Sequence, residues 1–220
     1  MQNKKIEIIK TNKFLQSFAI NRSRSFSEKE DLEFESLLSK FKIPDNLKES
    51  KKVCLEIGSG NGDFIIHKAQ TEKDKIFIAS DVFKKGALQI LKKADALKLT
   101  NFFFFFGDAR VFLDGNKTSL NEIYVLFPDP WPKKRHNKRR IINSIFLELV
   151  NSNLNKNGTL HIATDHLTYQ DWINDILGSQ GLFDVECSDY TKTLNFNTKY
   201  FNKSLKNTSQ SLYWKCKKKS

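Results

Sequence analysis

Five consecutive phenylalanines, Phe102 to Phe106, restrict the folds open to this chain. Successive side chains of a strand point to opposite faces. All five rings leave water together only where both faces of the strand are covered. Strands of that kind belong to the parallel sheets of α/β proteins, whose crossover helices lie on both sides. From Lys52 onwards the chain supplies such crossovers. Val53 to Ile57 reads as a short apolar strand, Gly58 to Gly62 as a turn, and Phe64 to Ala69 as the opening of a helix. Ile76 to Ala79 is a second strand, and Ala87, Leu88, Leu91, Ala94 and Leu97 give Gly86 to Leu97 a helical period. After the phenylalanine strand, Ile123 to Phe127 reads as a fourth strand and Ile141 to Val150 as a helix. Gly158 to Thr164 is a fifth strand, Tyr169 to Leu177 a helix, and Phe183 to Cys187 with Ser211 to Cys216 a closing strand pair. These units predict an α/β fold: a doubly wound, mostly parallel, seven-stranded Rossmann-like sheet with helices on both faces. Ligands of such sheets bind beyond the carboxyl ends of the strands, at the switch point.

The 220 residues suit one such domain plus an extension. Residues 1–50 are polar and charged, with a basic stretch at Asn21-Arg22-Ser23-Arg24-Ser25. Leu32, Phe34, Leu37, Leu38 and Phe41 then have helical spacing up to Pro44. We read residues 1–50 as a loosely attached basic arm with a short helix, and 51–220 as the α/β domain. The net charge of +12 favours nucleic acid or an anionic surface as partner. Part of it equally follows from a composition rich in Lys, Asn, Ile and Phe. Cys54, Cys187 and Cys216 have no CxxC spacing, which argues against a disulfide framework or zinc and fits a reducing cytoplasm. The four histidines show no metal-ligand spacing, so no metal is expected. Met1 to Lys10 lacks a signal-peptide apolar core, and no segment approaches the roughly 20 apolar residues of a membrane span, so no membrane partner is expected.

The strand ends carry acids. Glu56 closes the first strand before the turn Gly58-Ser59-Gly60-Asn61-Gly62, and Asp63 follows it. Glycines there let the backbone turn tightly and approach a ligand. A phosphate cradle would show G-x-G-x-x-G or a Walker lysine, and neither is present. Negative charge around the turn suits a cation instead. Asp81 after the second strand is placed to accept from ribose hydroxyls, and Asp108 in Gly107-Asp108-Ala109 from an adenine amine. A helix N-cap explains either acid equally well alone. Three acids at three successive strand ends point to a nucleoside-bearing cation.

The fourth strand end is different. Three of the four prolines lie within Phe127-Pro128-Asp129-Pro130-Trp131-Pro132, so the backbone around Asp129 is stiff. Lys133-Lys134-Arg135-His136-Asn137-Lys138-Arg139-Arg140 follows at once. A carboxylate on rigid backbone beside a basic strip describes a site that works on a polyanion, with the cations holding phosphates. Trp131 either packs there or stacks on a base.

Leu55-Glu56-Ile57-Gly58-x-Gly60-x-Gly62, followed by Gly107-Asp108-Ala109, resembles the class I S-adenosylmethionine-dependent methyltransferases. The run Phe127 to Arg140 resembles the signature of the bacterial tRNA (guanine-N7-)-methyltransferases, and Ala163-Thr164-Asp165 matches their later strand-end motif. The likeness covers about residue 50 to the C-terminus. It implies a methyltransferase sheet, S-adenosyl-L-methionine as donor and S-adenosyl-L-homocysteine as product. The substrate it implies is tRNA, not DNA, methylated at N7 of guanine 46 in the variable loop. It also implies donor contacts at Glu56, Gly58, Gly60, Asp81, Asp108 and Asp129, with Asp129 as the active-site carboxylate. Substrate contacts follow at Lys133, Asp165 and Thr198, and RNA contacts at Lys134, Arg135, His136, Asn137, Lys138, Arg139 and Arg140. Two positions depart from the family pattern: Asp81 stands where Glu is usual, and Phe201 stands where the T-x-x-E motif beginning at Thr198 has its acid. A nicotinamide-dependent oxidoreductase is disfavoured by the acidic first turn. An exocyclic-amine methyltransferase is disfavoured by the order Pro128-Asp129-Pro130-Trp131. A non-catalytic RNA-binding relative would lose the strand-end acids.

Overall fold

The computed structural model describes residues 26–44, 47, 52–115, 119–193 and 210–219; the basic stretch at 21–25, Thr198 and Phe201 lie outside them. Seven strands form one sheet: β1 (Lys52–Ile57), β2 (Lys75–Asp81), β3 (Phe102–Phe106), β4 (Leu120–Leu126), β5 (Leu154–Thr164), β6 (Phe183–Asp189) and β7 (Leu212–Lys218). Their order is β3-β2-β1-β4-β5-β7-β6. The first five strands are parallel, and β7 pairs antiparallel with both β5 and β6. After β3 the chain returns to lie beside β1, so the switch point falls between β1 and β4.

Helices α1 (Glu28–Lys40), α2 (Asp63–Thr71) and α3 (Lys84–Ala96) share one core layer. Helices α4 (Ala109–Gly115), α5 (Ser144–Asn153) and α6 (Leu167–Gly178) share the other, and Tyr190 of the single turn α7 (Tyr190–Thr193) joins the first. The strand period sorts the residues between layers: Val53, Leu55 and Ile57 of β1 pack towards α4–α6, and Cys54 towards α1–α3. By the same alternation Glu56 belongs to the α1–α3 side. No helix among the described residues is long and apolar enough to cross a membrane.

One expectation changes. β3 is an edge strand, and only Phe102 and Phe104 are fully buried, at 1% and 2% exposure; Phe103, Phe105 and Phe106 are half-buried. The short α4 covers their other face incompletely, with Phe105 against Phe112 at 5.2 Å. On the first face Phe34 meets Phe106 at 5.1 Å and Phe41 meets Phe102 at 5.7 Å. The Phe104 amide donates to the Phe41 carbonyl at 2.8 Å, so the chain after α1 shields the open edge. The short helix expected after the arm is α1, and it is held to the domain. Ser27 and Glu30 form a reciprocal capping box at its start. Phe34 has no exposed surface, and Asp31 and Glu33 pair with Lys84 and Lys92 of α3.

Candidate active site

β1 delivers Glu56 to the crevice at 5% exposure, and its Oε2 has no hydrogen-bond partner. Burial pushes its carboxyl up to about 8; hydrogen bonds from Ser59 and the Ile65 amide oppose this, and the charges of Asp81 and Asp63 add to it. An acid held in that condition lacks a donor or a cation. Gly58, Gly60 and Gly62 turn the chain beyond it at φ 72°, 57° and 75°. Their loop is pinned to β2. The Gly58 amide donates to Ser80 O at 2.8 Å, and the Gly60 amide to Asp81 Oδ2 at 2.8 Å. Asp81 Oδ1 accepts from the Phe83 amide at 2.8 Å, so this acid fastens the glycine turn to the start of α3. Burial raises its pKa, the Phe83, Gly60 and Val82 amides oppose that, and the charge of Asp129 adds to it.

Asp63 and Asp108 are already compensated. Lys93 bonds Asp63 Oδ1 at 2.9 Å and the Asn61 carbonyl at 2.8 Å. Arg110 pairs with both oxygens of Asp108, and its amide donates to Oδ1 at 2.9 Å. Asp108 thus has the capping role foreseen for it, with a cation in addition. Glu56, Asp81, Asp129 and Asp165 form no ion pair among the described residues. Glu56, Gly58, Ser59, Asn61, Asp63, Phe64, Leu126 and Phe127 line one concavity, which joins the β1 turn to the exit of β4.

The loop after β4 holds Asp129 exposed between two strained residues, Phe127 at φ 52° and Trp131 at φ 45°. Left-handed backbone costs a side-chain-bearing residue on the order of 1 kcal/mol, so the loop needs ties. The Phe127 amide donates to Ala163 O at 2.8 Å, its ring meets Tyr190 edge-on at 5.0 Å, and Arg140 Nε donates to Pro130 O at 2.9 Å. Asp165, half-buried, leaves the neighbouring strand β5.

The basic strip forms a 3-10 helix, Lys134–Arg139. Lys133, Lys134, Arg135 and Lys138 are exposed and make no ion pair among the described residues. Trp131 packs inward: His136 meets it edge-on at 5.8 Å, and the Arg139 guanidinium lies 4.9 Å from its ring. Desolvation there, with the charges of Arg139, Arg135 and Lys133, holds the His136 imidazole below its usual pKa. Arg140 departs from the expected RNA contact. It is 4% exposed and bonds Pro130 O, Thr168 O and Thr168 Oγ1. Arg140 follows the 3-10 helix as its C-terminal cap residue, and its side chain is turned in.

These residues fit a nucleoside-bearing cation: an orphaned buried carboxylate oxygen, a glycine turn and a second uncompensated acid stand at one switch point. A family model described as "Putative methyltransferase" matches residues 50–213. A tRNA (guanine-N(7)-)-methyltransferase of Wolbachia pipientis is 33% identical over 218 residues, covering 94% of each chain. The 16S rRNA methyltransferase KamB superposes with a TM-score of 0.58 at 16% identity, over 92% of this chain and 98% of that one. A Haemonchus contortus phosphoethanolamine N-methyltransferase in complex with S-adenosyl-L-methionine gives 0.53 at 11% identity, over 86% and 53%. The likeness to both solved structures lies in the fold, the sheet that the β1 turn and the β4 loop require. With the family model and the Wolbachia relative spanning strip and crevice together, the chain belongs to the S-adenosylmethionine-dependent tRNA (guanine-N7-)-methyltransferases.

Proposed function

We propose that this protein methylates N7 of a tRNA guanine, at position 46 of the variable loop. When bound, S-adenosylmethionine supplies a methyl group already activated by its sulfonium leaving group. Glu56 meets the positive charge of the donor, Asp81 accepts from its ribose while holding Gly60 in place, and Asp108 lies on the adenine side. Guanine N7 has a free lone pair and no proton, so the protein has no general base to provide. What remains for its residues is orientation and charge. Holding two reactants in line supplies most of the acceleration. Asp129 accepts from the guanine N1–H and exocyclic amine, which aims N7 at the donor. Its negative charge stabilises the ring as that ring becomes cationic. Asp165 is a second acceptor for the base, and the exposed cations from Lys133 to Lys138 hold the RNA phosphates.

The observation that carries this reading is the placement of Asp129. It is exposed and free of any ion pair among the described residues, on a tied loop between the donor concavity and the basic strip. The experiment is single-turnover methyl transfer to unmodified tRNA, with 7-methylguanine mapped by mass spectrometry. Wild-type protein forms 7-methylguanine at position 46, and Asp129→Asn slows its formation roughly 100- to 1000-fold, the effect of losing one transition-state contact. A near wild-type rate in the variant refutes the role of Asp129. Absence of 7-methylguanine with the wild type refutes the function.

A further inference from the structure

We propose that Arg140 is a positioning residue that holds the Asp129 loop and the Asp165 segment at a fixed separation. The inference rests on the function proposed above, because it concerns how the base is gripped. Arg140 Nε donates to Pro130 O at 2.9 Å, immediately after Asp129 in the chain. Its Nη1 donates to Thr168 O at 3.2 Å and Nη2 to Thr168 Oγ1 at 3.2 Å, three residues beyond Asp165 on the first turn of α6. One planar fork therefore spans two strand ends that no backbone pairing joins at this depth. The plane itself is held. Tyr169 and Trp172 of α6 lie 5.0 Å and 5.2 Å from the guanidinium. Those rings are fixed in turn: the Ile142 amide donates to Tyr169 OH at 3.3 Å, and Trp172 Nε1 donates to Ile142 O at 2.7 Å.

The charge argument points the same way. Arg140 is 4% exposed, makes no ion pair among the described residues, and bonds neutral oxygens only. Taking a guanidinium from water for neutral acceptors is a poor arrangement for gripping phosphate, whereas Lys134 and Arg135 stay in water where a polyanion reaches them. The tie is also applied where the loop needs it. Trp131, strained at φ 45°, directly follows Pro130, and releasing the Pro130 carbonyl lets that strain relax through Asp129. A lysine cannot replace the fork, since its single ammonium does not present donors in fixed, divergent directions.

The test compares Arg140→Lys, Thr168→Val and, as a phosphate-contact control, Arg135→Ala. It reads the single-turnover rate at saturating tRNA and donor, and tRNA affinity against salt. Arg140→Lys is expected to lower the saturated rate roughly 10- to 100-fold, as misplacement of a reacting group does, with tRNA affinity and its salt slope unchanged. Thr168→Val removes one of the three bonds and lowers the rate a few-fold. Arg135→Ala, which removes a charge from the strip, reduces the salt slope by about one. Should Arg140→Ala fold poorly, ethylguanidinium added to it restores the rate if a guanidinium at this place is what matters. A salt slope reduced by one in Arg140→Ala with an intact saturated rate overturns the proposal, because Arg140 is then a phosphate contact. So does a rate loss that only tracks the folded fraction measured by circular dichroism. Wild-type protein in the same assay tests the function separately. An active wild type beside an unaffected Arg140→Lys refutes this inference alone.

Discussion

Glu56 makes the stability of the free protein fall with pH in a window where most proteins are flat. Its carboxyl is raised from 4.5 to about 8, chiefly by burial. Between those values the folded chain keeps a proton that the unfolded chain has lost. Stability is therefore highest at low pH and declines as pH rises towards 8. The shift is roughly 3.5 units, and at about 1.4 kcal/mol per unit the full decline is about 5 kcal/mol. His161 runs the other way. Burial, opposed by the Glu122 charge, lowers its imidazole from 6.5 to about 4, so the unfolded chain binds the extra proton and stability rises with pH over that range. The two slopes cancel between 4.5 and 6.5. Above 6.5 Glu56 acts alone, and urea denaturation from pH 6.5 to 8 should show a loss of about 2 kcal/mol. Glu56→Gln should abolish the slope. The same proton reports on donor binding. With a pKa of about 8, roughly nine in ten free molecules are protonated at pH 7, and a cation placed beside the carboxyl expels that proton. Calorimetry in two buffers of different ionisation enthalpy should find nearly one proton released per donor bound, and none with Glu56→Gln. Stability flat from pH 6.5 to 8, or donor binding without proton release, refutes this account of Glu56.

Three further outcomes follow from packing and charge. A Cβ at Gly86 would stand 2.7 Å from Gly60 O, so Gly86→Ala must push the glycine turn; donor affinity should fall roughly tenfold, about 1.4 kcal/mol, and wild-type affinity by calorimetry would contradict the contact. Phe34→Ala removes a fully buried ring that fastens α1 over the β3 edge, and should cost about 3–5 kcal/mol in urea unfolding; a loss under about 1 kcal/mol would mean that α1 adds little to the domain. Neutralising Lys134 and Arg135 together should lower the salt slope of tRNA binding by nearly two while leaving donor affinity unchanged; an unchanged slope moves the RNA surface elsewhere.

The strands were legible because each is a short apolar run bounded by turn residues, and the parallel order followed from the helices between them. Boundaries were missed where periodicity is silent. β5 begins at Leu154, four residues before the expected Gly158, in the polar segment Asn155-Lys156-Asn157. α4 is seven residues long, and a sequence window that short carries no helical period. The edge position of β3 was hidden for another reason. A phenylalanine run reports how much surface the strand needs covered, not which neighbour covers it, and here Phe41 lies outside the sheet. Among site residues, the acids at the strand ends were readable from spacing. Their pairing was not: Lys93 is 30 residues from Asp63, and nothing local announces that bond. Arg139 and Arg140 are adjacent cations of identical chemistry, and nothing local announces that one packs on Trp131 while the other is buried against Thr168.

That division of cations explains how one crevice accepts both a cation and a polyanion. Asp31, Glu33, Asp63, Glu72, Asp95, Asp108 and Glu122 are each paired with a lysine or arginine. Their fields largely cancel within a few ångströms. Four acids with no such pair among the described residues, Glu56, Asp81, Asp129 and Asp165, lie at or just beyond the ends of β1, β2, β4 and β5. Four exposed cations with none among the described residues, Lys133, Lys134, Arg135 and Lys138, follow Asp129 closely in the chain. Two uncompensated fields of opposite sign thus meet along a few residues, with Pro130 and Pro132 as the border. A phosphate entering the acidic crevice is repelled, and the donor cation gains nothing on the basic strip, so each ligand is directed to its own side. Asp129 stands at the border, the exposed one of these four acids, where a base carried in by its phosphates reaches a negative charge. Flexible backbone at that place would let Asp129 swing onto Lys133 or Lys134 and form an ordinary surface ion pair. The three prolines, the two left-handed residues and the Arg140 tie all act against that collapse, and this is why so rigid a segment separates one acid from so many cations.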